Sequence, residues 1–202
     1  LLILALTSAS LAQMDMRSGP IGAVQNKMPG MDHSKTPMSD SSMNMSTGMG
    51  MSDLSKLSGK AFDRAFLSMM IPHHQAAIDM SKAVLPLSKD ATVQKWAKAI
   101  SADQQKEIGQ MNALLRGYGG SDTKMATMMT SGMKGMGAMV KMSKTPDRTF
   151  VQDMIPHHAS AIDMASMALQ KSSNMNVLKL ARDIVTAQAG EMYDFQMWLM
   201  KR

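Results

Sequence analysis

Two stretches of the sequence, MMIPHHQAAIDM from residue 69 and DMIPHHASAIDM from residue 153, hold four of the chain's five histidines as adjacent pairs. Met70 precedes His73 by three residues and His74 by four, so on a helix the thioether shares a face with an imidazole. Met154 stands in the same relation to His157 and His158. Met80 and Met164 follow two turns later, about 10 Å along the axis, and belong to a more distant set of donors. Neutral imidazole and thioether without thiolate make a donor set for copper, above all Cu(I), or for the similar Ag(I); histidine alone also takes Cu(II) or Zn(II). A single histidine on an apolar helix face is usually a satisfied core residue. Here the pair occurs twice among the same neighbours, and that repetition favours a metal.

The composition agrees. Methionine occurs 27 times and cysteine is absent, more thioether than a core needs as flexible filler. Thioethers bind without deprotonation and cannot be lost to disulfides, which suits an oxidising compartment. A further group, Met31 and His33 in MDHSKTPM, is followed by Met38, Met43 and Met45 on small or flexible neighbours able to wrap a soft cation. The net charge of +6 comes from scattered lysines. With no basic stripe interleaved with aromatics, nucleic acid is not an expected partner. Neither a serine or cysteine nucleophile constellation nor a phosphate-binding glycine loop is present.

The elements that carry these groups are duplicated. Residues 63–115 laid on 147–199, a shift of 84 without a gap, give 21 identities, including the Asp79/Asp163, Gln104/Gln188 and Glu107/Glu191 pairs. Each block reads as two helices. Phe62, Phe66, Met70, His73, Ala77, Met80 and Val84 recur at helical spacing. The phase survives Pro72, which predicts one kinked helix whose missing hydrogen bond to Ser68 needs compensation. The partner stripe, Val93, Ala97, Ile100, Gln104, Glu107 and Met111, turns polar at Gln104 and Glu107, and the second block does so at Gln188 and Glu191. Short links near 86–90 and 170–175 predict antiparallel hairpins. Counting from each turn sets Gln104 and Glu107 level with the first histidine pair, and Gln188 and Glu191 level with the second. The glutamates are expected to orient a ring by accepting its second N–H, and His73 and His157 to be the inward members of each pair. Asp79 and Asp163 fall off the stripe, where a solvated face, a helix–helix hydrogen bond and ligation all stay open.

The expected organisation is an apolar signal-peptide remnant at 1–12, a disordered Met-rich arm at 13–58, a first hairpin at 59–118, a flexible Met-rich connection at 119–144 with partly helical methionine spacing, and a second hairpin at 145–202. Residues 59–202 are expected to form one all-α four-helix bundle, since two hairpins bury their apolar faces against each other. The signal-peptide remnant places the mature protein in a periplasm or beyond, and no segment reads as a membrane span of it.

The repeated Met-Ile-Pro-His-His, the following Ala-Ile-Asp-Met and the later Gln-x-x-Glu resemble the secreted bacterial family named domain of unknown function 305, over about 60–116 and 145–202. That resemblance implies a ferritin-like helical bundle and, from some members, binding of periplasmic copper or silver. It marks Met70, His73, His74, Met80, Met154, His157, His158 and Met164 as ligand candidates. The MDHS segment is similar to Met/His repeats of bacterial copper-resistance proteins. The expected function is sequestration or transfer of Cu(I) without catalysis, with metal ions as the partners and any metal-transfer protein left unidentified. A bundle oxidoreductase acting on Cu(I) or Fe(II), and a Met-rich interaction module, are the alternatives; the Glu-x-x-His spacing of di-iron bundles is missing.

Overall fold

The computed structural model describes residues 50–202. The apolar leader and the arm with Met31 and His33 lie outside the described residues. Six helices follow in order: α1 (Gly59–Val84), α2 (Ala91–Gly117), α3 (Thr123–Gly132), α4 (Met136–Met142), α5 (Pro146–Lys171) and α6 (Met175–Met200). Residues 50–55 form a helical lead-in whose Leu54 is fully buried. Among the described residues there is no strand, and no helix is long and apolar enough to cross a membrane.

The helix boundaries follow from the sequence. Asp90 caps α2 by accepting the Thr92 and Val93 N–H groups, and Asn174, its equivalent 84 residues on, caps α6 through Asn176 and Val177. Such caps satisfy backbone donors that a helix start otherwise leaves open. Pro72 and Pro156 both lie inside uninterrupted helices, so a single helix runs through each proline. Next to the carbonyl that Pro72 frees, the Ser68 hydroxyl donates to Arg64 O at 2.7 Å and accepts from Asp122 N at 2.8 Å. This ties the weakened turn of α1 to the start of α3.

α1 and α2 form one hairpin and α5 and α6 the other, and the two meet through α1 and α5. The predicted stripe on α1 is buried throughout. The open end of each hairpin is fastened to the other hairpin's turn. Tyr118, ending α2, donates to Asp63 at 2.8 Å and accepts from Asn174 at 2.9 Å. At the opposite end Asp90 accepts from Trp198 at 3.2 Å and from Arg202. Tyr118 and Arg202 are themselves 84 residues apart, so the two fastenings occupy equivalent positions.

The apolar core falls into two clusters. One gathers Phe62, Phe66, Met70 and Met111 with Met164, Ala165 and Ile184. The other gathers Met80, Val84, Val93 and Ile100 with Phe150, Met154 and Phe195. The N-terminal half of α1 thus packs with the C-terminal half of α5, and the reverse, as antiparallel neighbours must.

The Met-rich connection departs from the expectation of a flexible link. It forms α3 and α4, both packed on α1, burying Met125, Met129, Met136 and Val140. The i, i+4 spacing in each pair places two apolar side chains on one face, and α1 supplies the surface that covers them. Methionine is therefore a core residue here as well as a candidate ligand: Met69, Met70, Met80, Met111, Met125, Met129, Met136, Met154 and Met164 are all buried. Gly135 starts α4 at φ 90°, a left-handed conformation that favours glycine. Gly137 allows close approach, because a Cβ there would lie 3.0 Å from the Asp79 carbonyl oxygen.

Gly137→Ala is expected to push α4 off α1 and lower the unfolding free energy by about 1–3 kcal/mol. Gly190→Ala, at an exposed α6 position where the added methyl meets nothing within 4 Å, is expected to raise it by about 0.5–1 kcal/mol. Urea titration of both variants checks the pair; a Gly137→Ala protein as stable as the parent contradicts the packing argument.

Candidate metal centre

Between the two apolar clusters lies a polar layer. All four paired histidines are buried, with at most 3% of any residue exposed. The expectation that one member of each pair sits at the core margin is corrected, because His74 and His158 reach a carboxylate that carries the contact with water for them. The His73 and His157 rings lie 3.8 Å apart between centroids at the α1–α5 crossing. His74 stands 6.3 Å from His73, and His158 6.0 Å from His157. The imidazoles therefore form one continuous row across the molecule, in the order His74, His73, His157, His158.

Hydrogen bonds fix the tautomer of each ring. His74 Nε2 contacts Glu107 Oε2 at 2.7 Å and His158 Nε2 contacts Glu191 Oε2 at 2.7 Å; a carboxylate accepts, so both rings donate from Nε2. His157 Nε2 lies 3.0 Å from the His73 carbonyl oxygen and must also donate. The Ser160 hydroxyl gives its proton to His157 O at 2.9 Å, which leaves it to accept from His73 Nε2 at 2.7 Å. All four rings thus carry the proton on Nε2. All four Nδ1 atoms are buried without a protein partner, each presenting an imine lone pair.

Burial, and then the neighbouring imidazoles, hold His73 and His157 well below the ordinary imidazole value. Charging either ring would place a cation in a nearly water-free layer. Both are neutral near pH 7, the form in which imidazole binds metals.

The register estimate of the hairpins holds: Glu107 and Glu191 meet the histidine pairs across each hairpin. Gln104 and Gln188 are buried in the same layer, with the amide nitrogen and oxygen of both lacking protein partners. Of the candidate thioethers, Met70 and Met164 lie in one apolar cluster and Met80 and Met154 in the other, one pair on each side of the row. Asp79 and Asp163 are exposed, and Asp79 accepts from Gln75 at 2.9 Å. Among the described residues no three His, Asp or Glu side chains are grouped to hold a metal ion.

One participant escaped the sequence reading. Ser160 aligns with Ala76, so the duplication signal that marked the histidines hides it; helical spacing, three residues after His157, was the available clue. On the outer side of the layer, Gln104, Glu107, Gln188 and Glu191 line a cleft of about 200 Å³ between α2 and α6.

The model of the family described as domain of unknown function (DUF305) matches residues 8–115, 80–148 and 147–202. An uncharacterised protein, L153, of Acanthamoeba polyphaga mimivirus is 43% identical over 53 residues, 26% of this chain and 35% of that protein; the match thus spans about a third of that relative. The Cu(II)-bound form of CopM is 30% identical with a TM-score of 0.62, over 69% of this chain and 96% of the other. Its Cu(I)-bound form gives 28% and 0.59 over the same shares, and CopM has also been solved with Ag bound. A DUF305 fragment from Deinococcus radiodurans is 28% identical with a TM-score of 0.60, over 69% and 96%. With the duplicated Met-Ile-Pro-His-His blocks and the family match across most of its length, this chain belongs to the DUF305 family.

Proposed function

We propose that this protein binds Cu(I), and equally Ag(I), to sequester or hand on the ion outside the cytoplasm, with no chemistry of its own. The observation that carries the reading is the row of four buried imidazoles, each protonated on Nε2 and each with an unpartnered Nδ1. An unpaired buried acceptor costs about 1–3 kcal/mol, and a soft cation bound at Nδ1 offsets that cost. Met70 and Met154, one helical turn before the histidine pairs, are read as the thioethers that complete the coordination, with Met80 and Met164 as more distant donors. Glu107 and Glu191 hold the outer rings by their second N–H, which raises ring basicity and fixes orientation. The four long helices are read as a four-helix bundle produced by duplication. Similarity to a protein solved with Cu(I), Cu(II) and Ag supports the choice of ion. Met31 and His33 are read as an additional thioether and imidazole set, and the apolar run at 1–12 supports export.

Isothermal titration of the chain with Ag(I), paired with metal analysis, tests the reading. Wild type is expected to retain the ion through desalting. Replacing His73, His74, His157 and His158 together by Gln is expected to remove the row's share of uptake and weaken what remains at least tenfold. Uptake unchanged by the fourfold replacement sinks the assignment to these residues; no uptake by wild type sinks the copper reading altogether.

The lowered His73 and His157 values also set a pH dependence. The unfolded imidazole titrates near 6.5, so on acidification below about pH 6.5 the unfolded chain takes up protons that the folded one refuses. Stability is complete above that point and declines below it, by at most about 1.4 kcal/mol per pH unit for each ring. The melting temperature of the metal-free protein is expected to fall between pH 7 and pH 5, with a flatter profile in the His73→Gln/His157→Gln variant. Identical profiles for the two proteins contradict the burial argument.

A further inference from the structure

The four imidazoles of the row are buried, so an ion that reaches it must pass through the protein, and among the described residues a cleft between α2 and α6 opens toward this layer. α1 and α5 meet at its centre, while α2 and α6 hardly touch. The cleft left between them is lined by Asp103, Gln104, Glu107, Asp183, Gln188 and Glu191, with Lys106 and Lys179 among the remaining side chains. We infer that this α2–α6 cleft is a docking vestibule for an aquated metal cation, where amide and carboxylate oxygens replace its water before the ion passes to the imidazoles. The inference rests on the copper reading and extends it from the resting site to the route.

Three observations carry it. First, Gln104 and Gln188 are 3% and 2% exposed, yet both atoms of each amide lack a protein partner. Two buried, unpartnered carboxamides lining one cleft have no packing purpose that leucine would not serve better. Their oxygens are the donor type that substitutes for water on a cation being stripped of its shell.

Second, Glu107 and Glu191 belong to both places. Their side chains are 16% and 25% exposed and line the cleft, while Oε2 of each holds His74 or His158. From the cleft to the row is therefore a single hydrogen bond. A cation held by the other carboxylate oxygen is already against the outermost ring.

Third, the charge is reversed locally. The chain carries +6, but the cleft lining holds four carboxylates against two lysines, a balance of −2. Asp183 is held by Lys179 and Arg182 at the rim, which leaves Asp103, Glu107 and Glu191 to attract an incoming ion. A concave acidic surface on a basic protein focuses cations toward one place.

A vestibule speeds entry and exit alike and leaves the equilibrium at the row unchanged. Gln104→Leu/Gln188→Leu replaces its oxygen floor while leaving the His–Glu pairs in place. Ag(I) content, measured by timed desalting and mass spectrometry during loading and during a chase with excess chelator, is expected to reach the wild-type level at saturation. Both loading and release are expected to slow at least tenfold. The melting temperature of this variant is expected to rise, because the unpartnered amides are gone, and that rise verifies folding. Asp103→Lys, at an exposed rim position, is expected to slow loading several-fold in low salt and to match wild type in high salt. Unchanged rates in the double leucine variant overturn the vestibule, and a lower saturation level overturns it too by making the glutamines ligands of the resting site. A wild-type chain that takes up no Ag(I) overturns the copper reading itself, a result distinct from either.

Discussion

Four imidazoles buried in the middle of an apolar core impose the conditions that the rest of the molecule meets. Each ring must place its Nε2 proton, and the four solutions differ: a glutamate for His74, another for His158, a backbone carbonyl for His157 and a serine for His73. Those partners fix which helices must face one another and at what height. The hairpin register is set by Glu107 and Glu191, and the α1–α5 crossing by the contacts of His157 and His73. What stays unmet is also informative. Four imine nitrogens and two carboxamides without protein partners, at about 1–3 kcal/mol each, amount to a cost comparable with the whole stability of a typical domain.

Much of this could be read from the sequence, for definite reasons. A shift of 84 residues exposed the duplication, and a helical period that ran through Pro72 argued for one helix where local propensity argued for two. Register counted from the turns found Glu107 opposite the histidine pair, because antiparallel helices of equal rise keep equal distances from their turn. The burial of both members of each pair was not legible. Adjacent residues point about 100° apart, so the pattern seemed to admit only one inside; α2 and α6 cover the second face of α1 and α5, and a tertiary contact of that kind leaves no period. Ser160 was hidden because duplication shows itself as identity between copies, while its role depends on differing from Ala76.

The Met-rich connection shows a different limit. Its composition matched an unstructured linker, and the methionines in it looked surplus to any core. Met125, Met129, Met136 and Val140 nevertheless pack on a face of α1 that neither hairpin partner covers. Low complexity states only that a segment cannot fold alone. It is silent about a surface supplied by the rest of the chain, and a glycine such as Gly137, where backbone must approach backbone, was the local sign of one.

The reciprocal fastenings at the ends of the hairpins carry a consequence for how such a chain could arise. Tyr118 reaches Asn174, the cap of the second hairpin, and Arg202 reaches Asp90, the cap of the first. When equivalent positions on two units each grip the other's equivalent partner, the contact is isologous, the form taken by twofold homodimers. The His73 and His157 rings, themselves equivalent positions, meet at the centre of that contact. Joining the two units in one polypeptide fixes their stoichiometry and removes the entropic cost of association. It also frees each half to diverge, and Ser160, which stands beside the central rings where the other copy has Ala76, is where that freedom has reached the middle of the molecule.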